Sequence, residues 1–271
     1  MAGQYLVKIV KKEQLGKEIF RLTLHAPEIA TTARPGQFVM LRSGGLLDPL
    51  LGRPFSLHQC RADGSIQVLF KVFGAGTKRL AALAAGDQAS LIGPLGRGFD
   101  LTPPAPGVSL CLVGGGMGIA PLFLLAQELK RQQPGLTIEL MLGARNKAEL
   151  HQLADEFRLM GFSPLVATDD GSLGYAGLVP DLLALNVPSA GKARRVYCCG
   201  PKPMMAVTAN YCQKQGWDCQ VSLETMMACG ISACLGCAVK GVGRRGGQVR
   251  YLHACKDGPV FNALDLDWTS E

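Results

Sequence analysis

The chain is short of charge. Asp, Glu, Lys and Arg make up 18 % of its 271 residues and aromatic residues only 6 %, where ~25 % charged residues is typical. That excludes a disordered or charge-patterned chain. Basic runs are missing too: none is longer than a pair such as Lys11-Lys12, Arg194-Arg195 or Arg244-Arg245. The net charge of +7 therefore lacks the clustering that nucleic-acid recognition requires, and no nucleic-acid partner is expected. The first residues, Met1-Ala2-Gly3-Gln4-Tyr5, lack the basic-then-apolar run of a secretory leader. A cytoplasmic, reducing setting is expected, in which the ten cysteines are metal ligands or reactive thiols rather than a disulfide framework. An uninterrupted apolar helix is also missing. Residues 101–127 carry no charge and are long enough to cross a membrane. However, Pro103, Pro104 and Pro106 open the stretch, and Gly114-Gly115-Gly116 and Pro121 break it, so it reads as strand, glycine turn and helix.

What is abundant is glycine, 34 residues or nearly double the usual ~7 %. Hydrophobic residues reach 48 % and mean hydropathy +0.17, which predicts a sizeable core with apolar surface left over for a partner. The first hundred residues hold short β-rich runs at 5–10, 19–24, 37–41 and 65–72, separated by turn residues such as Pro35-Gly36 and Asp63-Gly64. They predict a small antiparallel barrel. Three prolines in 101–107 read as a linker. Beyond it, strands expected at 108–113, 137–142, near 167, 195–199 and 219–223 alternate with helices at 119–131, 148–160, 179–185 and 204–215, the pattern of a parallel sheet with crossover helices. The tail is Cys- and Gly-rich without periodicity. The expected organisation is multidomain α/β plus β: a barrel over 1–101, a nucleotide-type α/β domain over 102–224 and a small cluster domain over 225–271.

The most specific motif is in the tail. Cys229-Gly-Ile-Ser-Ala-Cys234-Leu-Gly-Cys237, with Cys255 far downstream, has the C-x4-C-x2-C…C spacing of a plant-type [2Fe–2S] site. A four-cysteine zinc site competes, although zinc ribbons favour two C-x2-C units and only one is present. Gly114-Gly-Gly-Met-Gly118-Ile-Ala-Pro121 joins a strand to a helix. There a diphosphate can approach the backbone and meet the helix N-terminus. It is not the G-x-G-x-x-G pattern, and a tight packing turn is the alternative. Arg53-Pro-Phe-Ser56 supplies a fixed cation, a rigid turn and a hydroxyl, and Gly74-Ala-Gly76-Thr77 forms a second loop. Singly each reads as an ordinary turn. Together on one barrel, ahead of a nucleotide-type sheet, they indicate cofactor binding.

These residues resemble the ferredoxin–NADP reductase superfamily, whose flavin barrel carries Arg-x-aromatic-Ser and whose nucleotide domain carries Gly-Gly-Gly-x-Gly-x-x-Pro and a later Cys-Gly-Pro, here Cys199-Gly200-Pro201. Ser222-Leu-Glu-Thr-Met-Met-Ala-Cys229 and Cys255-Lys-Asp-Gly-Pro-Val-Phe261 narrow it. End to end, the chain is similar to the electron-transfer subunits of class 1B dihydroorotate dehydrogenase. The resemblance implies FAD, with Arg53 on its diphosphate, Ser56 near flavin N5, and Pro54 and Phe55 shaping that edge. Leu69, Phe70 and Lys71 would lie along the ring or ribityl chain, and Gly76 and Thr77 would hold phosphate. It implies NAD+/NADH at Gly114, Gly115, Gly116, Gly118, Ile119, Ala120, Pro121, Cys199, Gly200 and Pro201, with Cys199 near the nicotinamide, and cluster ligation by Cys229, Cys234, Cys237 and Cys255. Ser232 departs from the resemblance, which leads one to expect Gly there, and Phe55 stands where an aliphatic residue is common.

No residue suggests itself as a base for taking a proton from a carbon substrate. The resemblance places that step on an FMN-containing catalytic subunit, in a heterotetramer of two of each, and makes this chain the electron carrier to NAD+ in pyrimidine (UMP) biosynthesis. A subunit of the same build serving another partner, such as a sulfide dehydrogenase or an NADH-dependent ferredoxin reductase, is the nearest alternative; a zinc-stabilised binding protein is the distant one. Cys111 and Cys198 read as core, Cys60, Cys212 and Cys219 as scattered thiols, and His25, His58 and His151 as isolated. His253 is expected on a surface loop. Lys240, Arg244, Arg245 and Arg250 read as a solvated loop or a docking surface for an acidic partner. The expected strand 137–142 is followed by Gly143-Ala-Arg145, without the carboxylate that binds a ribose 2′-hydroxyl. Arg145 is free either to meet a 2′-phosphate or to stack on adenine, so NAD rests on the resemblance.

Overall fold

A computed structural model describes residues 2–43, 50–133, 135–186, 193–243 and 249–269. Residues 44–49, just ahead of Arg53-Pro-Phe-Ser56, and the basic pair Arg244-Arg245 lie outside the described residues. The N-terminal part consists of β1 (Gly3–Gln14), β2 (Ile19–His25), α1 (Pro27–Thr32), β3 (Phe38–Ser43), β4 (Arg53–Cys60), β5 (Ser65–Lys71), α2 (Ala75–Ala82) and β6 (Gln88–Leu95). Its strands close an antiparallel barrel in the order β1-β2-β5-β4-β3-β6. Period-two apolar residues, among them Val7, Ile9, Leu22, Leu24, Ile66 and Val68, fill the inside, as alternation along a strand requires. Helix α1 opens on Pro27, whose fixed φ suits a first turn, and adds Ile29 to the barrel core.

Two expectations need correcting here. Arg53-Pro-Phe-Ser56 is not a turn but the start of β4, with Arg53 opposite Leu41 and Pro54 opposite Met40; proline is tolerated at the beginning of a strand. Gly74-Ala-Gly76-Thr77 is not an open loop but the first turn of α2, where Thr77 Oγ1 accepts from the Phe73 and Gly74 N–H groups at 2.9 and 3.1 Å.

The second part runs β7 (Ser109–Gly115), α3 (Ile119–Gln132), β8 (Ile138–Ala144), α4 (Lys147–Leu159), β9 (Leu165–Thr168), β10 (Tyr175–Ala176), α5 (Val179–Leu185), β11 (Arg194–Cys199), α6 (Lys202–Gln215) and β12 (Asp218–Ser222). The strands are parallel in the order β10-β9-β8-β7-β11-β12. Because the chain winds one way from β7 to β8 and the other way from β7 to β11, a crevice opens beyond the C-terminal ends of β7 and β11. The last segment is not aperiodic. It forms a hairpin, β13 (Ala238–Gly241) with β14 (Arg250–His253), and an edge strand, β15 (Val260–Asn262), antiparallel to β12. His253 accordingly lies partly buried in β14 rather than on a surface loop.

The parts interlock. Helix α3 packs on β4, and His58 of β4 stacks on Phe123 of α3 with ring centroids 4.6 Å apart. The His58 ring nitrogens lie 3.0 Å from Ala120 O and 3.0 Å from Glu156 Oε2, and Arg21 of β2 pairs with Glu156 as well. Cys237, Cys255, Leu252 and Phe261 from the tail share one core with Phe38 and Met40 of the barrel and Val113 and Val221 of the sheet.

Candidate functional site

The cysteine loop makes the first element of the site. Gly230, Ser232 and Leu235 adopt φ of +72°, +65° and +58°, so the backbone curls and turns its N–H groups inward. Ile231 and Cys234 donate to Cys229 Sγ at 3.4 Å each, Ser232 to Cys255 Sγ at 3.2 Å, Gly236 to Cys234 Sγ at 3.5 Å and Cys255 to Cys237 Sγ at 3.5 Å. Such a cage favours thiolates. Burial raises the Cys229 pKa, but the Ile231 and Cys234 N–H groups outweigh it and bring it down to about 7. The sulfurs come as two neighbouring sets: Cys237 and Cys255 lie 3.3 Å apart, while Cys229 and Cys234 share the other turn. Two pairs of thiols fit a two-iron cluster better than one zinc ion.

The second element is a cleft of about 290 Å³ between barrel and sheet. Pro54, Phe55, Ser56, Leu69, Phe70 and Lys71 line it from β4 and β5, as the sequence groups them, together with Met117, Ala120, Glu224, Thr225 and Met227. Arg53 turns the other way. A Cβ on Gly76 would lie 2.7 Å from its Nε, so the guanidinium lies against the first turn of α2, a pairing of cation and helix N-terminus that suits an anion. The Thr77 hydroxyl is engaged in capping that turn, which leaves backbone N–H groups for any phosphate. Glu224 and Thr225 lie in the 222–229 segment that helps to carry the resemblance, but sequence reasoning gave them no role because they belong to no spacing pattern. Thr225 Oγ1 is buried with no hydrogen-bond partner, an orphan that a polar ligand atom would satisfy.

The third element, a cleft of about 460 Å³, lies at the crevice of the sheet and shares Lys71 and Met117 with the second. Gly115, Gly116 and Pro201 line it, as do Arg145, Glu149, Asp169 and Met204. Gly114, Gly118, Ile119, Pro121, Cys199 and Gly200 do not; they build the wall behind. A Cβ on Gly118 would lie 2.4 Å from the Cys199 carbonyl carbon, so the turn after β7 can meet the strand end of β11 only as glycine. Gly116, at φ +55° with open space where a Cβ would stand, is the member of the turn that leaves its backbone bare toward a ligand. Cys199 is buried, its Sγ 3.4 Å from Ser222 O, and burial pushes its thiol well above the usual value.

A flavin-sized cleft on a barrel, a dinucleotide crevice beside it and a thiolate cage behind define an oxidoreductase of the ferredoxin–NADP reductase build with an added iron–sulfur lobe. Residues 112–210 match the oxidoreductase NAD-binding domain family, and residues 224–267 the iron–sulfur cluster binding domain of dihydroorotate dehydrogenase B. The dihydroorotate dehydrogenase B (NAD(+)) electron transfer subunits of Desulforamulus reducens and Geobacillus thermodenitrificans are 39 % and 36 % identical, covering 99 % and 98 % of this chain and 100 % and 99 % of theirs. The chain belongs to this family of electron transfer subunits. Among solved structures it is similar to an NADH-dependent reduced ferredoxin–NADP oxidoreductase studied for flavin-based electron bifurcation, at TM-score 0.83 and 32 % identity over 99 % of this chain and 92 % of that one. A Neisseria gonorrhoeae ferredoxin–NADP+ reductase with bound FAD and NADP shares the fold at TM-score 0.66 and 20 % identity over 79 % and 92 %. Among the described residues no helix is long and apolar enough to cross a membrane.

Proposed function

We propose that this chain carries electrons from an FMN-containing dihydroorotate dehydrogenase catalytic subunit to NAD+, as part of a cytoplasmic heterotetramer with two copies of each subunit. The observation that carries this reading is contiguity. A Cβ on Gly230 would lie 2.5 Å from Met40 Cγ, so the cysteine loop rests on β3, and Met40 stands opposite Pro54, which lines the second cleft. Met227, also in that lining, is two residues and so at most about 7 Å of chain from Cys229. The second cleft then meets the third at Lys71 and Met117.

FAD and the cluster, when bound, supply the exchange between single-electron and hydride carriers. The chain's own residues hold and insulate them. Cys229, Cys234, Cys237 and Cys255 ligate iron. Arg53 and the first turn of α2, at Gly76 and Thr77, receive the diphosphate, while Pro54, Phe55, Leu69 and Phe70 pack the ring. Ser56 and Lys71 bring a hydroxyl and a cation to the edge facing the nucleotide. Gly115, Gly116 and Pro201 form the nicotinamide nucleotide floor, supported from behind by Gly114, Gly118 and Cys199. Exposed Met226, Ile231, Leu235 and Tyr251 around the cysteine loop dock the catalytic subunit.

Purified protein is expected to contain flavin and about two irons per chain; stoichiometric zinc without flavin overturns the proposal. Combined with the FMN subunit it reduces NAD+ in the presence of dihydroorotate. Cys234→Ser should abolish that reaction and spare NADH-to-dye transfer. Survival of both activities in the variant overturns the cluster assignment.

A further inference from the structure

The unusual feature of the third cleft is the charge around Arg145. Strand β8 ends at Ala144 and strand β9 at Thr168, and the two ends are strapped together: Asp169 N–H donates to Ala144 O and Asp170 N–H to Arg145 O, each at 3.2 Å. The strap fixes Asp169 beside Arg145 on the cleft wall. One turn into α4, Glu149 takes both edges of the Arg145 guanidinium, Nη2 on Oε1 and Nε 3.3 Å from Oε2, and also receives Lys71 Nζ at 2.9 Å. Glu149 itself is placed by Asn146, whose side chain caps α4 by accepting from the Glu149 N–H at 3.1 Å. Hydrogen bonding from Glu149, with the charges of Glu18 and Asp169 behind it, raises the Arg145 pKa. Asp181 lines the cleft on the far side. Glu149 thus holds both cations, with the charges of Glu18 and Asp169 close to Arg145.

In doubly wound sheets the end of the strand after the first crossover reads the adenosine ribose: a carboxylate there takes the 2′-hydroxyl, a free arginine the 2′-phosphate. Strand β8 offers only Arg145 at that point, which by sequence suits either nucleotide. We propose that Asp169 and Glu149 together select NAD(H) over its 2′-phosphorylated counterpart, Glu149 by occupying Arg145 and Asp169 by presenting a carboxylate to the ribose from the neighbouring strand. An exposed Arg–Glu pair alone is weak and a phosphate would compete it away. The strapped Asp169 cannot withdraw in the same way, and a phosphate ester carrying about −1.5 to −2 charges brought beside it meets like charge. The ribose hydroxyls, in contrast, donate to it.

This inference rests on the reading of the third cleft as the nucleotide site, and the test separates the two. The holoprotein, with flavin content and melting temperature checked for each variant, is titrated calorimetrically with ADP and with 2′-phosphoadenosine 5′-diphosphate, which differs from ADP only by the 2′-phosphate. Wild type is expected to bind ADP at least tenfold more tightly. In Asp169→Asn combined with Glu149→Gln that ratio falls to near one or inverts, and the ratio of kcat/KM for NADH to that for NADPH falls with it. Equal binding of the two fragments by wild type, or an unchanged ratio in a folded double variant, overturns the selectivity proposal. Binding of neither fragment overturns the nucleotide-site reading itself.

Discussion

Ser232 is the residue where cost and use can be separated. Its φ of +65° is a conformation that disfavours any side chain by about 1–2 kcal/mol, yet it carries a hydroxyl whose Oγ lies 3.5 Å from Cys255 Sγ. A ligating thiolate has no proton, so the hydroxyl can only donate, and donation to sulfur stabilises the more negative, reduced state. Ser232→Gly is therefore expected to make the protein about 1 kcal/mol more stable while moving the cluster midpoint to more negative potential. Thermal melting and a potentiometric titration followed by electron paramagnetic resonance measure the two effects. Gly118 behaves oppositely. With the Cys199 carbonyl carbon 2.4 Å from any Cβ, Gly118→Ala should cost about 1–3 kcal/mol through overpacking and raise KM for the nucleotide, read by denaturant melts and steady-state rates.

At the scale of elements, α3 and α4 hold the barrel against the sheet. Burial alone would raise the Glu156 pKa, but hydrogen bonding and charge from His58 and the Arg21 guanidinium outweigh it and keep the carboxyl below its usual range. A group with a depressed folded pKa stabilises fully above its unfolded value, here about 4.5, and loses that contribution as pH falls below it. Glu156→Ala, which takes this acceptor from His58 and leaves Arg21 to Glu13 alone, should cost about 1–3 kcal/mol at neutral pH, with the difference from wild type shrinking toward pH 3 in thermal melts. Length explains only part of the legibility of these elements. Helices α3, α4 and α6, at 13 to 14 residues, show apolar stripes long enough to betray themselves; α5, with 7 residues, was legible from its place between strands of an alternating pattern, a cue that α1 and α2, at 6 and 8 residues among the strands of a barrel, did not have. The Arg53-Pro54 start of β4 was hidden because proline argues for a turn until a partner strand is known. In the same way the cluster could be read from cysteine spacing, since metal chemistry writes its ligands close together. Glu149 meets Lys71, and Asp169 meets Ala144, only across the fold, and Glu224 and Thr225 enter the second cleft only once barrel and sheet are packed together. His58 looked isolated for that reason and proved to be a bridge.

Over the whole molecule most of the apolar surplus is buried in the core; exposed apolar side chains are spread over the surface, Phe73 and Leu159 among them, and include Met226, 91 % exposed, and Leu235, 57 % exposed, at the cysteine loop. Lys240 on that lobe is paired with Asp267 at 2.9 Å, while Arg250 on the same hairpin is exposed. Leu235→Asp should weaken association with the catalytic subunit at least tenfold, or ~1.4 kcal/mol, while NADH-to-dye activity stays near wild type; analytical ultracentrifugation and paired assays distinguish the two.

Strand β15 has a consequence for how such a protein can be cut or recombined. It covers the outer edge of β12 with main-chain hydrogen bonds from Gln220 to Ser222. A gene ending before the cysteine loop would leave the third cleft's lining in place but remove Pro259 from the second and leave β12 as a bare rim, open to pairing with another chain. Such a shortened version is expected to aggregate through that rim before it could serve as a freestanding reductase.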